Sequence, residues 1–149
     1  MTEATQPARA KVVVGVNGSD SSLNALRWAA KEARLTGATL HAVTAWEYPL
    51  SYGWAAVPDG FDPDGDARAM LEDAVRAVRA EEPDVPITLN VIEGHPAAAL
   101  LAAAEDASLL VVGSRGHGAF TGVLLGSVGE HCAHHAKCPL VIVRPQEHK

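Results

Sequence analysis

Several patterns that mark common classes of protein are scarce or missing in this sequence of 149 residues. No apolar run reaches the roughly 18 residues that a membrane span needs, so we expect no membrane partner. Two cysteines, Cys132 and Cys138, are too few for a disulfide framework. Residues 1–10 lack the apolar core of a secretory signal and predict a disordered tail. Together these absences predict a cytoplasmic protein.

Blocks of lysine and arginine are also missing. The chain has 12 Lys and Arg against 18 Asp and Glu, which gives a formal net charge of −6. Nucleic acids are bound mainly through clustered cations, so this composition excludes a nucleic-acid partner. A small anion would have to be held by local dipoles, one or two nearby cations and a metal ion.

Two nucleotide-binding motifs are absent as well. No Gly-x4-Gly-Lys-Ser/Thr sequence occurs, which excludes a P-loop. No Gly-x-Gly-x-x-Gly follows the first apolar run, which disfavours a dinucleotide-binding fold.

What the sequence does contain is a regular alternation of strand and helix patterns. Valine-rich or alternating runs predict strands at 11–16, 39–46, 87–92, 108–112 and 139–143. Helical spacing predicts helices between Leu23 and the stop at Gly37, and at 67–80, 96–105 and 127–136. Such an alternation predicts one α/β domain over residues 11–145, with a parallel sheet, helices on both faces and a short tail at 146–149.

The segment from Glu47 to Gly65 shows no periodicity and predicts a long loop that is functional or mobile. Its aromatic residues either form a lid over a ligand or anchor the loop on the core. The candidates for either role are Trp46, Tyr48, Tyr52 and Trp54, and we favour an anchoring role for Trp46.

Two strand ends carry glycine and polar residues, and open α/β sheets bind ligands at such ends. One is Val16-Asn17-Gly18-Ser19 and the other begins at Gly113. Glycines let backbone N–H groups approach a phosphate, and a helix that begins at Ser127 adds a positive dipole end. Glu130 lies three residues after Ser127, which matches a capping box. The nearest cations are Arg115 and His117.

The spacing of Gly113, Gly116, Gly126 and Ser127 resembles the ATP-binding signature of the universal stress protein family. The runs VVVGVNGSDSSLNALRWA and LLVVGSRGHGAFTGVLLGSVGEHCAHHAKCPLVIVRP resemble the opening and the closing third of that family. EGHPAAALLAAAEDASLLVVGSRG resembles the segment between them. Only the loop after the second strand and the second helix are generic, so the resemblance covers nearly all of residues 11–144.

This resemblance implies a Rossmann-like fold of the adenine nucleotide α-hydrolase type, with sheet order 3-2-1-4-5. It also implies a stress-response regulator that binds ATP, with Mg²⁺ or Mn²⁺ on the phosphates, and acts as a nucleotide-dependent switch. The last strand would be an exposed edge that pairs with a second copy in a homodimer. The implied nucleotide-binding residues are Val16, Asn17, Gly18, Ala45, Gly113, Ser114, Arg115, Gly116, His117, Gly126, Ser127 and Val128.

One residue departs from the family pattern. ATP-binding members usually have Asp where this chain has Asn17. If that Asp serves a metal or a ribose hydroxyl, its replacement weakens binding. If it only accepts hydrogen bonds within the turn, little changes.

Two other functions stay open at this stage. A slow ATPase would need a base that orients water beside the γ-phosphate, and the glycine-rich loop offers only Arg115, His117 and a distant Glu130. An interaction dimer with a vestigial pocket is the second alternative, and Asn17 is its hint. The sequence does not name the protein partner of any of these.

A dense group of histidines and cysteines near the end of the chain raises a metal hypothesis. Three of its members cannot share one face, because neighbours on a helix point about 100° apart. The spacing fits no common zinc-ligand pair cleanly, so we predict no metal site here. Cys132 is instead expected in the core, and His134 and His135 on a solvent-facing surface.

Overall fold

A computed structural model describes residues 9–47, 60–114 and 127–144. Strands and helices alternate through these ranges in the predicted order. The elements are β1 (Lys11–Gly15), α1 (Asp20–Thr36), β2 (Thr39–Trp46), α2 (Pro63–Glu81), β3 (Ile87–Glu93), α3 (Pro96–Ala103), β4 (Leu109–Gly113), α4 (Ser127–His135) and β5 (Leu140–Val143).

The five strands form one parallel sheet in the order β3-β2-β1-β4-β5, which confirms the expected topology. β1 lies at the centre, where the strand order changes direction. Its register pairs Gly15 with Val43 of β2 and Val14 with Val111 of β4. The carboxyl ends of the three central strands therefore lie side by side.

Helices cover both faces of the sheet. Alternate residues of each strand point to opposite faces, and both sets include apolar side chains that the helices bury. Val12 and Val14 of β1 pack in a core with α1 and α2. Val13 points the other way, into a second core that includes Leu100 of α3 and Cys132 of α4. The run of consecutive valines in β1 is thus buried on both sides.

α1 has a clear start and stop. Ser19 caps its first turn, where the hydroxyl oxygen accepts a hydrogen bond from the amide of Ser22 at 3.1 Å. Gly37 ends the helix in the left-handed conformation at φ 74°, which glycine adopts without steric cost. The predicted stop at Gly37 is confirmed.

α2 begins four residues before the predicted start at Ala67, so the predicted loop was wrong for residues 63–65. Asp62 caps this helix by accepting a hydrogen bond from the amide of Gly65 at 3.0 Å. Pro63 follows in the first turn, where its fixed φ suits a helix. The cap and the proline outweigh the weak apolar periodicity of this turn.

β2 matches its predicted bounds, α1 begins three residues before Leu23, and the remaining boundaries shift by no more than two residues. β1 ends at Gly15 instead of Val16, and α3 ends at Ala103 instead of Glu105. Within the described ranges, every helix is too short or too polar to span a bilayer.

Two leucines of α1 allow a matched test of which helix face holds the fold together. Leu26 is completely buried against the sheet, whereas Leu35 is 70% exposed. We expect Leu26→Ala to lower the free energy of unfolding by about 2–5 kcal/mol, because it removes buried contacts and leaves a cavity. Leu35→Ala, the control, should change it by less than about 0.5 kcal/mol. Urea denaturation measures both, and equal losses would contradict the packing described here.

Candidate functional site

The carboxyl edge of the sheet gathers the polar turns that follow β1 and β4. Each helix in this topology starts at that edge, because it runs back against the direction of its parallel strands. The edge therefore combines strand ends with helix N-termini, whose first N–H groups lack partners within the helix. This arrangement favours an anionic ligand.

Hydrogen bonds among Asn17, Ser19 and Ser22 hold the turn after β1. The Oδ1 of Asn17 accepts from the amide of Ser19 at 3.0 Å and from its hydroxyl at 2.6 Å. The backbone N–H of Asn17 donates to the hydroxyl oxygen of Ser22 at 3.1 Å. Gly18 lies between them at φ 85°, a conformation that favours glycine. The side chain of Asn17 thus acts in this turn as a hydrogen-bond acceptor.

Val16 links this turn to β2. Its side chain is buried, and its amide donates to the carbonyl of Val43 at 2.8 Å. That bond is the last one between the two strands in the described part of the chain.

Ala45 lies two residues beyond that last bond. Successive peptide groups of a strand point in opposite directions, and the carbonyl of Trp46 accepts from Gly94 on the β3 side at 2.7 Å. The N–H and C=O of Ala45 must therefore point to the β1 side, past the end of β1. These backbone groups alone could form hydrogen bonds with the edge of a planar base.

Gly113 ends β4 and lies directly against the first turn of α1. A Cβ atom built on Gly113 would come within 2.7 Å of the backbone of Ser21, so only glycine fits without a shift of α1. The next residue, Ser114, is buried and donates its amide to the carbonyl of Val143 at 3.0 Å. The end of β4 is thus fixed between α1 and β5.

α4 begins at Ser127, which is exposed, and Val128 packs on the second core. The capping-box prediction was wrong in its register. Ser127 is the first helical residue, whereas a capping box requires the serine to precede the helix. The first amides of α4 still mark an N-terminus at the carboxyl edge.

Eight predicted site residues lie at or just beyond the carboxyl ends of β1, β2 and β4 or in the first turn of α4, namely Val16, Asn17, Gly18, Ala45, Gly113, Ser114, Ser127 and Val128. The other four predicted site residues lie outside the described ranges, namely Arg115, Gly116, His117 and Gly126. Tyr48, Tyr52 and Trp54 lie outside them as well.

The anchoring interpretation of Trp46 fits its position. Its indole N–H donates to the Oδ1 of Asp64 at 3.1 Å. This bond joins the end of β2 to the first turn of α2, since Asp64 is the second residue of that helix.

Sequence reasoning missed two serines that shape the site. The hydroxyl of Ser22 accepts a hydrogen bond from the backbone N–H of Asn17. It also donates one to the carbonyl of Ser19 at 3.0 Å. Ser21 supplies the backbone against which Gly113 packs. Their helical position predicts only a first turn, because no sequence signal shows which strand end will lie against it.

A cleft of about 460 Å³ lies beside this edge, between α1 and α2. Gly18 reaches it, but Ala45, Gly113 and Ser127 do not line it. Its walls are mainly apolar side chains, such as Leu23, Met70 and Val78. The cleft is therefore distinct from the polar strand ends.

The histidines and cysteines near the end of the chain have the burial that the sequence predicted. Cys132 is fully buried, and His134 and His135 are exposed. The spacing argument was wrong, because His131 and His135 stand four residues apart and their rings meet with centres 4.6 Å apart. No group of three or more candidate metal ligands occurs among the described residues.

Comparison with known proteins gives a consistent result. The model of the universal stress protein family matches residues 9–144. Universal stress protein Rv2623 of Mycobacterium tuberculosis is 36% identical over 138 residues, which cover 93% of this chain and 46% of that protein. A universal stress protein of Mycolicibacterium smegmatis is 34% identical, over 97% of this chain and 49% of that protein. The chain thus spans about half the length of these relatives.

Solved structures of universal stress proteins share the fold. One, determined in complex with cAMP, is 33% identical with a TM-score of 0.67, and the match covers 91% of this chain and 97% of that one. UspA from Lactobacillus plantarum has a TM-score of 0.73 at 21% identity, over 93% of this chain and 100% of that one. The latter likeness supports the fold alone.

The turn after β1 yields a test with two substitutions at one position. Asn17→Asp should leave the free energy of unfolding almost unchanged, because a carboxylate accepts the same two hydrogen bonds from Ser19. Asn17→Ala should lower it by about 1 kcal/mol, because both donors lose their acceptor. Urea denaturation of the two variants measures the difference, and equal stabilities would contradict the structural role of Asn17.

Proposed function

The chain belongs to the universal stress protein family, and we propose that it binds an adenine nucleotide at the carboxyl edge of the sheet. The observation that carries this proposal is the convergence of two glycine-containing strand ends and a helix N-terminus at that edge. In the proposed complex, Val16, Asn17, Gly18 and Ala45 surround the base and ribose. Gly113, Ser114 and the start of α4 face the phosphates.

Backbone geometry supports the two halves of this assignment. The peptide groups of Ala45 point past the end of β1, where an adenine ring could accept and donate hydrogen bonds. Gly113, which packs closely against Ser21, has no side chain that could block a ligand at the end of β4. Ser127 adds a hydroxyl to the first amides of α4, a combination suited to phosphate oxygens.

The structure with cAMP supports the choice of an adenine nucleotide, because that relative is 33% identical over nearly its whole length. We propose ATP as the physiological ligand, since the predicted signature continues through Gly116 and Gly126 to Ser127. Arg115 and His117 are the proposed cationic contacts to its phosphates.

A metal ion would have to arrive with the phosphates. The eight site residues that the structure describes include no carboxylate, which is the ligand that Mg²⁺ and Mn²⁺ favour in proteins. Asn17 stands where a carboxylate would otherwise be. We therefore propose that Mg²⁺ or Mn²⁺ binds chiefly through the nucleotide.

We propose that this site binds nucleotide and hydrolyses ATP slowly at most. The described site residues include no His, Asp or Glu that could orient a water molecule. The proposed role is that of a cytoplasmic stress-response regulator in which the bound nucleotide sets the conformation read by a protein partner.

A homodimer through β5 is the proposed assembly. β5 ends the sheet, and all four of its residues are apolar and only partly buried. The other edge strand, β3, is less suited to pairing, because it carries an exposed Thr88 and a partly exposed Asn90. An apolar edge strand is normally covered by another chain or element.

Ser127 provides the test of nucleotide binding. Calorimetric titration with ATP, ADP, AMP and cAMP, with and without Mg²⁺, should show binding by the wild-type chain. We expect Ser127→Ala to weaken ATP binding by about 10- to 100-fold, since a hydrogen bond to a charged group contributes about 1.5–3 kcal/mol. Adenosine, which has no phosphate, should bind both proteins equally.

Ser108→Ala is the matched control, because Ser108 is also exposed but lies at the opposite end of β4. There its hydroxyl donates to the carbonyl of Lys11 at 2.9 Å. This variant should bind ATP as the wild type does. If none of the four nucleotides binds the wild type, the pocket is vestigial and the proposed function is wrong.

β5 provides a separate test of the dimer. The carbonyl of Val143 accepts from Ser114, so the peptide groups of Val141 and Val143 point toward β4, and those of Leu140 and Ile142 point outward. Ile142→Pro removes an outward N–H group and leaves the bonds to β4 intact, so it should yield monomers. Ile142→Ala keeps that N–H group and should remain largely dimeric. Analytical ultracentrifugation measures both, and a dimeric proline variant would contradict pairing through this edge.

A further inference from the structure

α4 presents a pair of histidines to solvent, on a surface that the proposed nucleotide function does not use. His131 and His135 are both exposed and stand four residues apart, so they lie on the same side of the helix. Their ring centres are 4.6 Å apart, with 38° between the ring planes. The neighbouring His134 points elsewhere, with its ring centre 6.4 Å from that of His135.

The spacing of the two rings matches that of two imidazoles bound to one metal ion. A metal about 2.0–2.1 Å from a ring nitrogen lies about 3.2 Å from the centre of that ring. Two such ligands at 90–109° then have ring centres about 4.5–5.2 Å apart. The observed 4.6 Å falls within that interval.

Both rings are also available as ligands. Neither His131 nor His135 makes a side-chain hydrogen bond or an ion pair in the described part of the chain. The nearby thiols are less suitable, because a metal binds the thiolate form. Burial raises the pKa of the Cys132 thiol, with a smaller contribution from Cys138, and burial also raises the pKa of Cys138.

We propose that His131 and His135 supply two imidazole ligands of a chelating site for a divalent transition-metal ion of the Co²⁺, Ni²⁺, Cu²⁺ or Zn²⁺ class. Imidazole nitrogen favours these ions over Mg²⁺ and Ca²⁺, which prefer oxygen. Because the described residues around the pair supply no third ligand, water molecules complete the coordination shell. The site is independent of nucleotide and has exchangeable positions.

Calorimetric titration of the metal-free full chain with Ni²⁺, in the absence of nucleotide, tests the proposal. The chain has seven histidines, so the double variant His131→Ala/His135→Ala defines the background. His131→Ala and His135→Ala should each weaken binding at least about tenfold, because the second imidazole acts at a high effective concentration once the first has bound. His134→Ala, the matched control, should keep an affinity close to that of the wild type. Mg²⁺ should give no signal above background.

Two results would overturn the proposal. One is a wild-type titration indistinguishable from that of the double variant. The other is an equal loss of affinity in all three single variants, which would indicate nonspecific binding by exposed histidines. Electron paramagnetic resonance of the wild-type chain with one equivalent of Cu²⁺ provides a test without substitutions. We expect coupling to two imidazole nitrogens, and coupling to one or none would also refute the site.

Discussion

The register of the parallel ladders on both sides of β1 is the constraint on which the rest of the structure depends. It places the ends of β1, β2 and β4 at one edge, with Gly15 opposite Val43 and Val14 opposite Val111. Each following helix must then begin at that edge in order to return along the sheet. A crevice with helix N-termini is a consequence of the topology, and the turn residues determine what the crevice can bind.

Those turn residues are fixed by one contact between distant parts of the chain and by hydrogen bonds within the turn after β1. Gly113 has no Cβ, so the first turn of α1 can lie against the end of β4. Asn17 and Ser22 in turn hold the loop between β1 and α1 through hydrogen bonds of 2.6–3.1 Å. The amide oxygen of Asn17 already performs the acceptor role that an Asp would perform. Asn17 therefore preserves the shape of the turn and lacks only the negative charge that an Asp would place beside the proposed base and ribose.

The three proposed functions lie on different parts of the molecule. Nucleotide binding is assigned to the carboxyl edge, and dimerisation to the apolar edge strand β5. The histidine pair lies on α4, which covers the second core through Cys132. Cys132 is buried in that core, and His131 and His135 are exposed to solvent. Val128, Gly129 and Cys132 thus form the inner face of α4, and His131 and His135 lie on its outer face.

The sequence by itself determined the order of elements and the parallel α/β class, because apolar runs and helical spacing report directly on which residues must be buried. The strand order 3-2-1-4-5 came from the resemblance to the universal stress protein family. The sequence also located local signals such as the stop at Gly37, which depends only on the conformation of one residue. It missed the start of α2, where a cap at Asp62 outweighs a weak periodicity, and it misjudged the pairing of His131 with His135. Only the tertiary structure decided which turns and side chains meet, such as Gly113 with Ser21 and Trp46 with Asp64. Such contacts join residues far apart in the chain, and their geometry depends on how strands and helices pack in three dimensions.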